Sequence, residues 1–411
     1  MTQRRTRVAL SLPLALTLGL ALARAWAEPS LSDPLGVPLP QGLRLTLPWS
    51  HLVAAPLFTL WDGVSMLSLS RLKGFLTGLL PLFVLWRVVR ALARQGTTPG
   101  RELGAFLLGI AALAVFIAAG LLWHRPMAAL AGTGPDRIVV DFHTHTNRSH
   151  DVAGTVMDDY DVPANLRWHR QAGYDAAFIT DHNTVGPLAS GPGLAIGCPG
   201  IEVSAWRAHV VLLGDSMPVD RGRYGGLTGL LELLRTSEAA YGAISLASIP
   251  EYVRNHWDRL DTLVAAGLDG FEIVNAAPKA NEITRAQRDS VAALARRADR
   301  FVVGVSDHHG WGATSMVWNL VDAPGWRQAA ESPCAGILAR LREGFEAVQI
   351  VERHRLRPDS LWPTLLTPLG VVWEAWRSMG WGQVVSWLVW VWGLGLAGRR
   401  VRGAEGQQQR T

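Results

Sequence analysis

From Leu103 to Trp123 the chain carries no charged side chain, and a helix of about 20 apolar residues is what the hydrocarbon core of a bilayer requires. Such a segment predicts a membrane protein, so every other part must lie on one side of the bilayer or the other. Phe75 to Val89, extended by Leu92, is a second, shorter candidate span. At the N-terminus "RRTR" precedes the apolar stretch Val8 to Ala27, which closes in "AWA" before Glu28 and reads as a signal anchor or a cleaved signal peptide. The tryptophan-rich stretch Gly380 to Gly398 is followed by "RRVR" and reads as a last span. His51 to Leu69 is moderately apolar, but Pro56, Asp62 and its hydroxyls favour an interfacial piece over a crossing.

Arginines cluster at Arg4, Arg5 and Arg7, at Arg87, Arg90, Arg94 and Arg101, and at Arg399, Arg400 and Arg402. Placing all three clusters in the cytoplasm puts the segment from about residue 125 to 375 outside, in the periplasm of a bacterial cell. Arg353, Arg355, Arg357 and Arg377 crowd the opposite side of the last span and weaken that bias. The resulting plan is an anchor or signal peptide over 1–27, a membrane region over 28–135 with helices near 75–92 and 103–123, a globular domain over 136–360, a membrane segment over 361–398 and a disordered polar tail over 399–411.

Hydrophobic residues make up 49% of the chain and charged ones 18%, too apolar for an ordinary soluble enzyme. The net charge of +5 rests on arginine, since Lys73 and Lys279 are the only lysines. No basic run interleaved with aromatics lies between the spans, so nucleic acid is not an expected partner. Cys198 and Cys334 are the only cysteines and form no CxxC pair. This excludes a thiolate zinc cluster and argues against a disulfide framework, so any metal must be held by nitrogen and oxygen.

Between the spans, apolar runs alternate with helical patterns. Strands are predicted at "RIVVDFH", "AAFITD", "GCPGIEVS", "HVVLLG", "AISLAS", "GFEIVN" and "FVVGVSD", with helices at "PANLRWHRQAG", "GLLELLRTSEAAY", "RLDTLVAAG" and "ITRAQRDSVAALARRA". This alternation implies an α/β fold with a mainly parallel sheet, closed into a barrel at this length. His143, His145, Asp181, His182, Glu202, His209, Asp307 and His309 all fall at or beside predicted strand ends, where side chains of a barrel converge. On a strand, residues i and i+2 point the same way, so His143 with His145, and Asp307 with His309, can each grip one metal ion.

Taken in order, these residues resemble the PHP family, the metal-dependent phosphoesterases named for polymerase and histidinol phosphatase domains. The resemblance covers Asp136 to about Val351 and rests on "DFHTHTNRSHD", "ITDHNT", "GIEVS" with a following histidine, "DGFEIVN" and "GVSDHH". It implies a distorted TIM-like (β/α)7 barrel, here flanked by transmembrane helices, holding two or three divalent metal ions (zinc, manganese or iron) at the strand ends. Carried over position by position, it places one ion between His143, His145, Glu202 and Asp307, with Glu202 bridging to a second ion that His209 also binds. A third would lie between Asp151, His182 and His309. Either His150 or Asp151 follows the His-x-His pair as a ligand, Asp151 being preferred; His309 is chosen over His308, and Asp181 is expected to orient His182 from behind. The pattern also asks for a histidine in a strand-end "AHP", where this chain reads "LASIP" with Ile249 at that place. His256 reads better as a helix-surface histidine than as its replacement.

Divalent ions held this way acidify water to a pKa near ~7 and clamp phosphoryl oxygens. The expected function is therefore a membrane-anchored, metal-dependent phosphoesterase acting on a small-molecule phosphomonoester or phosphodiester. His182, His209 and Asp307 are candidates for proton transfer or leaving-group stabilisation, and Arg254 and Lys279, in loops after two strands, for meeting substrate phosphate. The loop "HHGWGATSMVW" either shapes a substrate mouth or makes a tight turn with a packing tryptophan. Two alternatives remain: a non-phosphoryl, amidohydrolase-like hydrolase using the same water, and, because of Ile249, a catalytically degenerate metal-binding sensor or scaffold.

Overall fold

The computed structural model describes residues 2–93, 98–214, 219–278, 283–312, 316–328 and 332–408. Its N-terminal region is helical: α1 (Thr2–Ala25), α2 (Trp49–Val53), α3 (Ala55–Ser65), α4 (Leu69–Ala93) and α5 (Pro99–Leu122). Two of these are long and apolar enough to cross a membrane, over Leu69–Val89 with mean hydropathy 1.6 and Gly100–Leu122 with 2.7. Only 17% and 6% of those stretches are buried in the protein, which leaves apolar side chains facing outward as lipid contact demands. α1 carries a shorter apolar stretch, Leu12–Ala25. The 11 residues of α3 extend only about 16 Å at 1.5 Å per residue, so this segment cannot cross the core. It packs instead around the buried Arg125, whose guanidinium bonds Asp62 of α3 at 2.8 Å.

The strands are β1 (Leu31–Ser32), β2 (Arg44–Thr46), β3 (Ala129–Ala131), β4 (Arg137–Thr144), β5 (Ala176–Ile179), β6 (Ile196–Ala205), β7 (Ala208–Leu213), β8 (Ile244–Ala247), β9 (Gly270–Asn275), β10 (Phe301–Val305), β11 (Val317–Asp322) and β12 (Gln349–Arg353). β2 and β3 pair with each other, and the remaining 10 form one sheet in the order β1-β12-β11-β4-β5-β6-β7-β8-β9-β10. All seven strands anticipated from apolar runs are present in it. Between the strands lie α6 (Val162–Gln171), α7 (Gly226–Tyr241), α8 (Glu251–Asn255), α9 (Leu260–Ala265), α10 (Arg285–Ala298) and α11 (Cys334–Leu341). Inward side chains such as Phe142, Phe178, Val203, Phe271 and Val303 fill the core.

The closed (β/α)7 barrel is replaced by an open, curled sheet of mixed direction. Pairing is parallel along β4–β5–β6 and along β8–β9–β10, but β7 is antiparallel to β6 and β8, and β11 to β4 and β12. The cause is local at β6–β7: only Trp206 and Arg207 link them, at φ 30° and 61°, and a two-residue loop returns the chain antiparallel whereas a parallel return needs a long crossover. The curl still brings the end of β10 back to β4, where Asp307 N donates to His143 O at 2.9 Å and His145 N to His308 O at 3.0 Å. Asn319 of β11 ties β10 to β4: its side chain accepts from Gly304 N at 2.9 Å and donates to Val140 O at 2.9 Å.

Cys198 of β6 and Cys334 at the start of α11 are joined in a disulfide across 136 residues, where the sequence argued against a disulfide framework. Nothing in their spacing announces it, because the two meet only after the sheet has curled.

Beyond β12, a short turn at Thr364–Leu366 leads into α12 (Thr367–Ser378) and α13 (Trp381–Gln408). The turn lies on α4, where a Cβ at Gly78 would overlap the Leu365 carbonyl. Leu20 and Ala23 of α1, Ala55 of α3, Trp376 of α12 and Trp387 of α13 form one buried cluster. α13 continues to Gln408, where composition predicted an irregular tail. The end of α1, the start of α4 and the end of α5 all meet the domain: α1 leads into β1, whose Leu31 pairs with Arg353 of β12, Leu69 N donates to Pro278 O at 3.2 Å, and Gly312 N to Leu121 O at 2.6 Å.

Candidate metal centre

At the end of the curled sheet, five imidazoles and three carboxylates converge. β4 carries His143 next to its last residue and leads into His145, β6 supplies Glu202, β7 His209, the segment after β5 His182, the turn after β4 Asp151, and the segment after β10 Asp307 and His309. Backbone pairing sets their positions: a parallel bridge links His182 with Glu202, and Asn183 N donates to Glu202 O at 2.8 Å. Strand alternation turns Thr144 away from the two histidines, and it accepts from Asn165 Nδ2 at 2.8 Å.

Glu202 lies at the middle. Its Oε2 is 3.2 Å from His143 Nε2, 3.3 Å from His145 Nε2 and 3.0 Å from His182 Nδ1, while Oε1 is 3.0 Å from His209 Nδ1. Asp307 Oδ1 lies 3.2 Å from His145 Nε2 and 3.5 Å from His143 Nε2. Asp151 Oδ2 is 2.8 Å from His309 Nε2 and 3.4 Å from His182 Nε2. Among the described residues, three groups have ligand atoms close enough to share an ion: His143, His145 and Glu202; His182, Glu202 and His209; and His145, Asp151, His182 and His309.

The donor set fits divalent cations. His143 Nε2 and His145 Nε2 face each other at 2.9 Å, and Glu202 Oε2, Asp151 Oδ1 and His182 Nδ1 are buried with no hydrogen-bond partner. Buried polar atoms left without a partner are costly unless a cation or donor meets them. Neutral imidazoles with carboxylates suit zinc, manganese or iron. Burial pulls His143 and His145 down, but Glu202 and Asp307 outweigh it, holding His143 well above the ordinary imidazole value and raising His145 to about 9. Burial likewise pushes Glu202, Asp151 and Asp307 up, and the facing imidazoles overcome it, holding all three carboxyls well below the usual range. The carboxylates thus demand positive charge opposite them.

The structure brings together all eight residues expected to bind metal. His150 is exposed, with its ring beside that of His182, whereas Asp151 points into the cluster. His308 turns the other way, stacking on Trp168 with centroids 4.0 Å apart and meeting His124 Nε2 at 3.1 Å. Other expectations are corrected. Asp181 does not touch His182; it accepts from Thr146 Oγ1 at 2.7 Å and so fixes the turn that carries Asp151. His256 is fully buried against Trp206, not on a helix surface, and belongs to none of the three groups. Arg254 sits exposed on α8, and Lys279 falls outside the described residues, as does part of the "HHGWGATSMVW" loop.

Two carboxylates were not singled out from the sequence. Glu272 of β9 is buried, with Oε1 2.6 Å from His143 Nδ1 and Oε2 accepting from Ile249 N at 2.8 Å and Asn275 Nδ2 at 2.9 Å. It fixes the ring of His143 from behind, the role carboxylates take around metal-binding histidines. A glutamate amid the apolar run "GFEIVN" was the available signal. Glu251, two residues after Ile249, lies 3.9 Å from His209 Nδ1, and burial with the nearby Glu202 pushes its carboxyl up. Replacing Glu272 by glutamine keeps the shape and removes the charge, and it should weaken metal binding about 10–100-fold. Titration of the metal-stripped chain with zinc checks this, and an unchanged affinity would remove Glu272 from the site.

No family model matches this chain, and no curated protein sequence matches it. Among solved structures it is similar to PsfC from Pseudomonas syringae PB-5123, at 18% identity over 59% of this chain and 98% of that one, with a TM-score of 0.37. It is also similar to an amidohydrolase from Chromobacterium violaceum, solved with bound sulfate and no metal, at 18% identity over 46% of this chain and 95% of that one, with a TM-score of 0.28.

Proposed function

We propose that this chain is a membrane-held, metal-dependent hydrolase of small-molecule phosphoesters whose catalytic domain lies outside the cytoplasm. The observation that carries the reading is Glu202, whose two oxygens belong to adjoining groups of imidazoles within one buried cluster. Two or three divalent ions in this set would acidify water and neutralise charge growing on a phosphoryl oxygen. His143, His145, Glu202 and Asp307 would hold one, Glu202 and His209 a second, and Asp151, His182 and His309 a third. His209 and His182, both at the edge of the cluster, are placed to pass a proton to the leaving oxygen. Glu251 faces the side of His209 where Ile249 offers no donor, and it is the residue we assign to complete the second site.

A carbonyl substrate, an ester or amide, is the second reading. It is favoured by the cluster's own chemistry, since water activated by the same imidazoles and carboxylates can attack a carbonyl carbon without a cationic clamp for phosphate. The full chain in detergent, loaded with zinc or manganese, separates the two when offered phosphomonoester, phosphodiester, ester and amide substrates. Phosphoester turnover that a chelator abolishes is expected. Turnover of the ester or amide alone would establish the second reading, and metal retained without any turnover would establish a sensor or scaffold.

The external placement is supported by the arginine clusters and by the Cys198–Cys334 disulfide, a bond that persists in oxidising compartments. If α1 and α13 also cross, all four spans meet the domain on one side. Reporters joined after Trp123 and after Arg402 are expected to report opposite compartments, and the same compartment for both would overturn the placement.

A further inference from the structure

A second cavity, of about 240 Å³, lies between the domain and the helices and shares no lining residue with the metal cluster. Its lining includes Arg44, Arg353 and Arg355, the carboxylates Asp62 and Glu374, and apolar side chains such as Met66, Leu67 and Val371. Met66 and Leu67 immediately precede the apolar stretch Leu69–Val89, so the cavity lies at the domain-side end of a candidate span. Further along α4, where Thr364 and Leu365 lie on Gly74 and Gly78, Leu361, Leu365, Leu366 and Leu369 present exposed apolar side chains.

Charge around the cavity does not balance. Arg125 and Arg353 share Asp62, and Arg288, Arg355 and Arg357 share Glu352, with Asp33 and Asp289 also acting on Arg288, so guanidiniums outnumber the carboxylates around them. Glu374, which also lines the cavity, is held by His354 at 2.8 Å and Arg377 at 3.0 Å. Arg353 Nη1, 3.7 Å from Asp62, and Arg355 Nη1 are both buried with no hydrogen-bond partner. Buried guanidinium groups in excess of their counter-ions are strongly unfavourable unless an anion joins them. Their planar forks match phosphate oxygens, and basic pockets between membrane helices are suited to lipid headgroups.

We propose that this cavity binds the phosphate-bearing headgroup of an anionic membrane lipid, whose acyl chains leave along α4 and the exposed leucines of the Leu361–Leu369 segment. The phosphate bridges Arg353 and Arg355, and Arg44 closes over it from the exposed side. The ligand thereby ties the domain to the lipid leaflet on its own side of the bilayer.

The test uses the full chain in a nonionic detergent, followed by thermal unfolding as dioctanoyl phosphatidylglycerol, dioctanoyl phosphatidylcholine or inorganic phosphate is added. Phosphatidylglycerol is expected to raise the unfolding temperature saturably by a few degrees, and the other two are not. Two variants probe the cavity: Arg44→Ala removes an exposed cation whose one described hydrogen bond is to the nearby Gly42 carbonyl, and Ala375→Phe fills the space while leaving every arginine in place. Both should fold, and both should raise the half-saturating lipid concentration at least tenfold. An equal response to phosphatidylcholine would overturn the anionic headgroup, and an equal response to phosphate alone would overturn the lipid source. A response unchanged in both variants would overturn the location.

Discussion

Glu202→Gln is expected to leave a folded chain that retains at least one metal ion fewer per molecule and hydrolyses its substrate about 10³-fold more slowly, the upper range for losing one preorganised electrostatic group. The size follows from geometry: its two oxygens reach His143, His145 and His182 on one side and His209 on the other, so one substitution weakens adjoining sites together. Glutamine preserves shape and can still bond to imidazole, which separates loss of charge from loss of packing. Metal analysis after gel filtration reads the first effect, and circular dichroism confirms folding. His150→Ala, which alters an exposed neighbour outside the three groups, should retain full metal. Equal metal in wild type and Glu202→Gln would sink the bridging assignment.

The largest effect on stability is expected at Glu352→Gln. This carboxylate is fully buried and lies within 3.2 Å of Arg288, Arg355 and Arg357. Removing its charge takes from Arg355 and Arg357 the carboxylate both pair with and leaves Arg288 only Asp33 and Asp289 nearby, a loss of about 3–5 kcal/mol. Burial pushes the carboxyl up, but the three arginines overcome it and bring it down from its ordinary 4.5 to about 2. A depressed folded-state pKa contributes stability that is present above 4.5 and fades as pH falls toward 2. Wild-type denaturant midpoints should therefore drop across that acid range, and the drop should be smaller in Glu352→Gln, whose midpoint is already low at neutral pH. Parallel pH profiles for the two chains would refute the assignment.

The residues that proved easiest to read from sequence owe their legibility to short-range physics. Whether a run can span a bilayer depends on its own length and lack of charge, so α4 and α5 were visible without a fold. Strand alternation places i and i+2 on one side, so His143 with His145 and Asp307 with His309 could be paired from spacing. It also separated His309 from His308, which points into the stack with Trp168 and His124. The seven principal strands followed from apolar runs, whereas β11 and β12 did not, because "VWNLVD" and "QIVER" interrupt their apolar character with polar residues.

What stayed hidden depends on partners far away in the chain. Asp181 looked like support for its neighbour His182, yet it bonds Thr146 because a β4–β5 contact puts that residue closer. His256 looked exposed on a short helix and is buried because the β6–β7 hairpin folds Trp206 over it.

By itself, then, the sequence determined that this chain meets a membrane, that an α/β domain follows the second apolar span, and that nitrogen and oxygen side chains cluster at its strand ends. Only the tertiary structure decided that the sheet curls open, that Cys198 meets Cys334, that Glu272 stands behind His143, and that five arginines gather around two carboxylates beside a cavity. Periodicity and apolar run length are summed over neighbours in sequence, and pairing between residues a hundred or more positions apart exists only once the sheet order has been chosen.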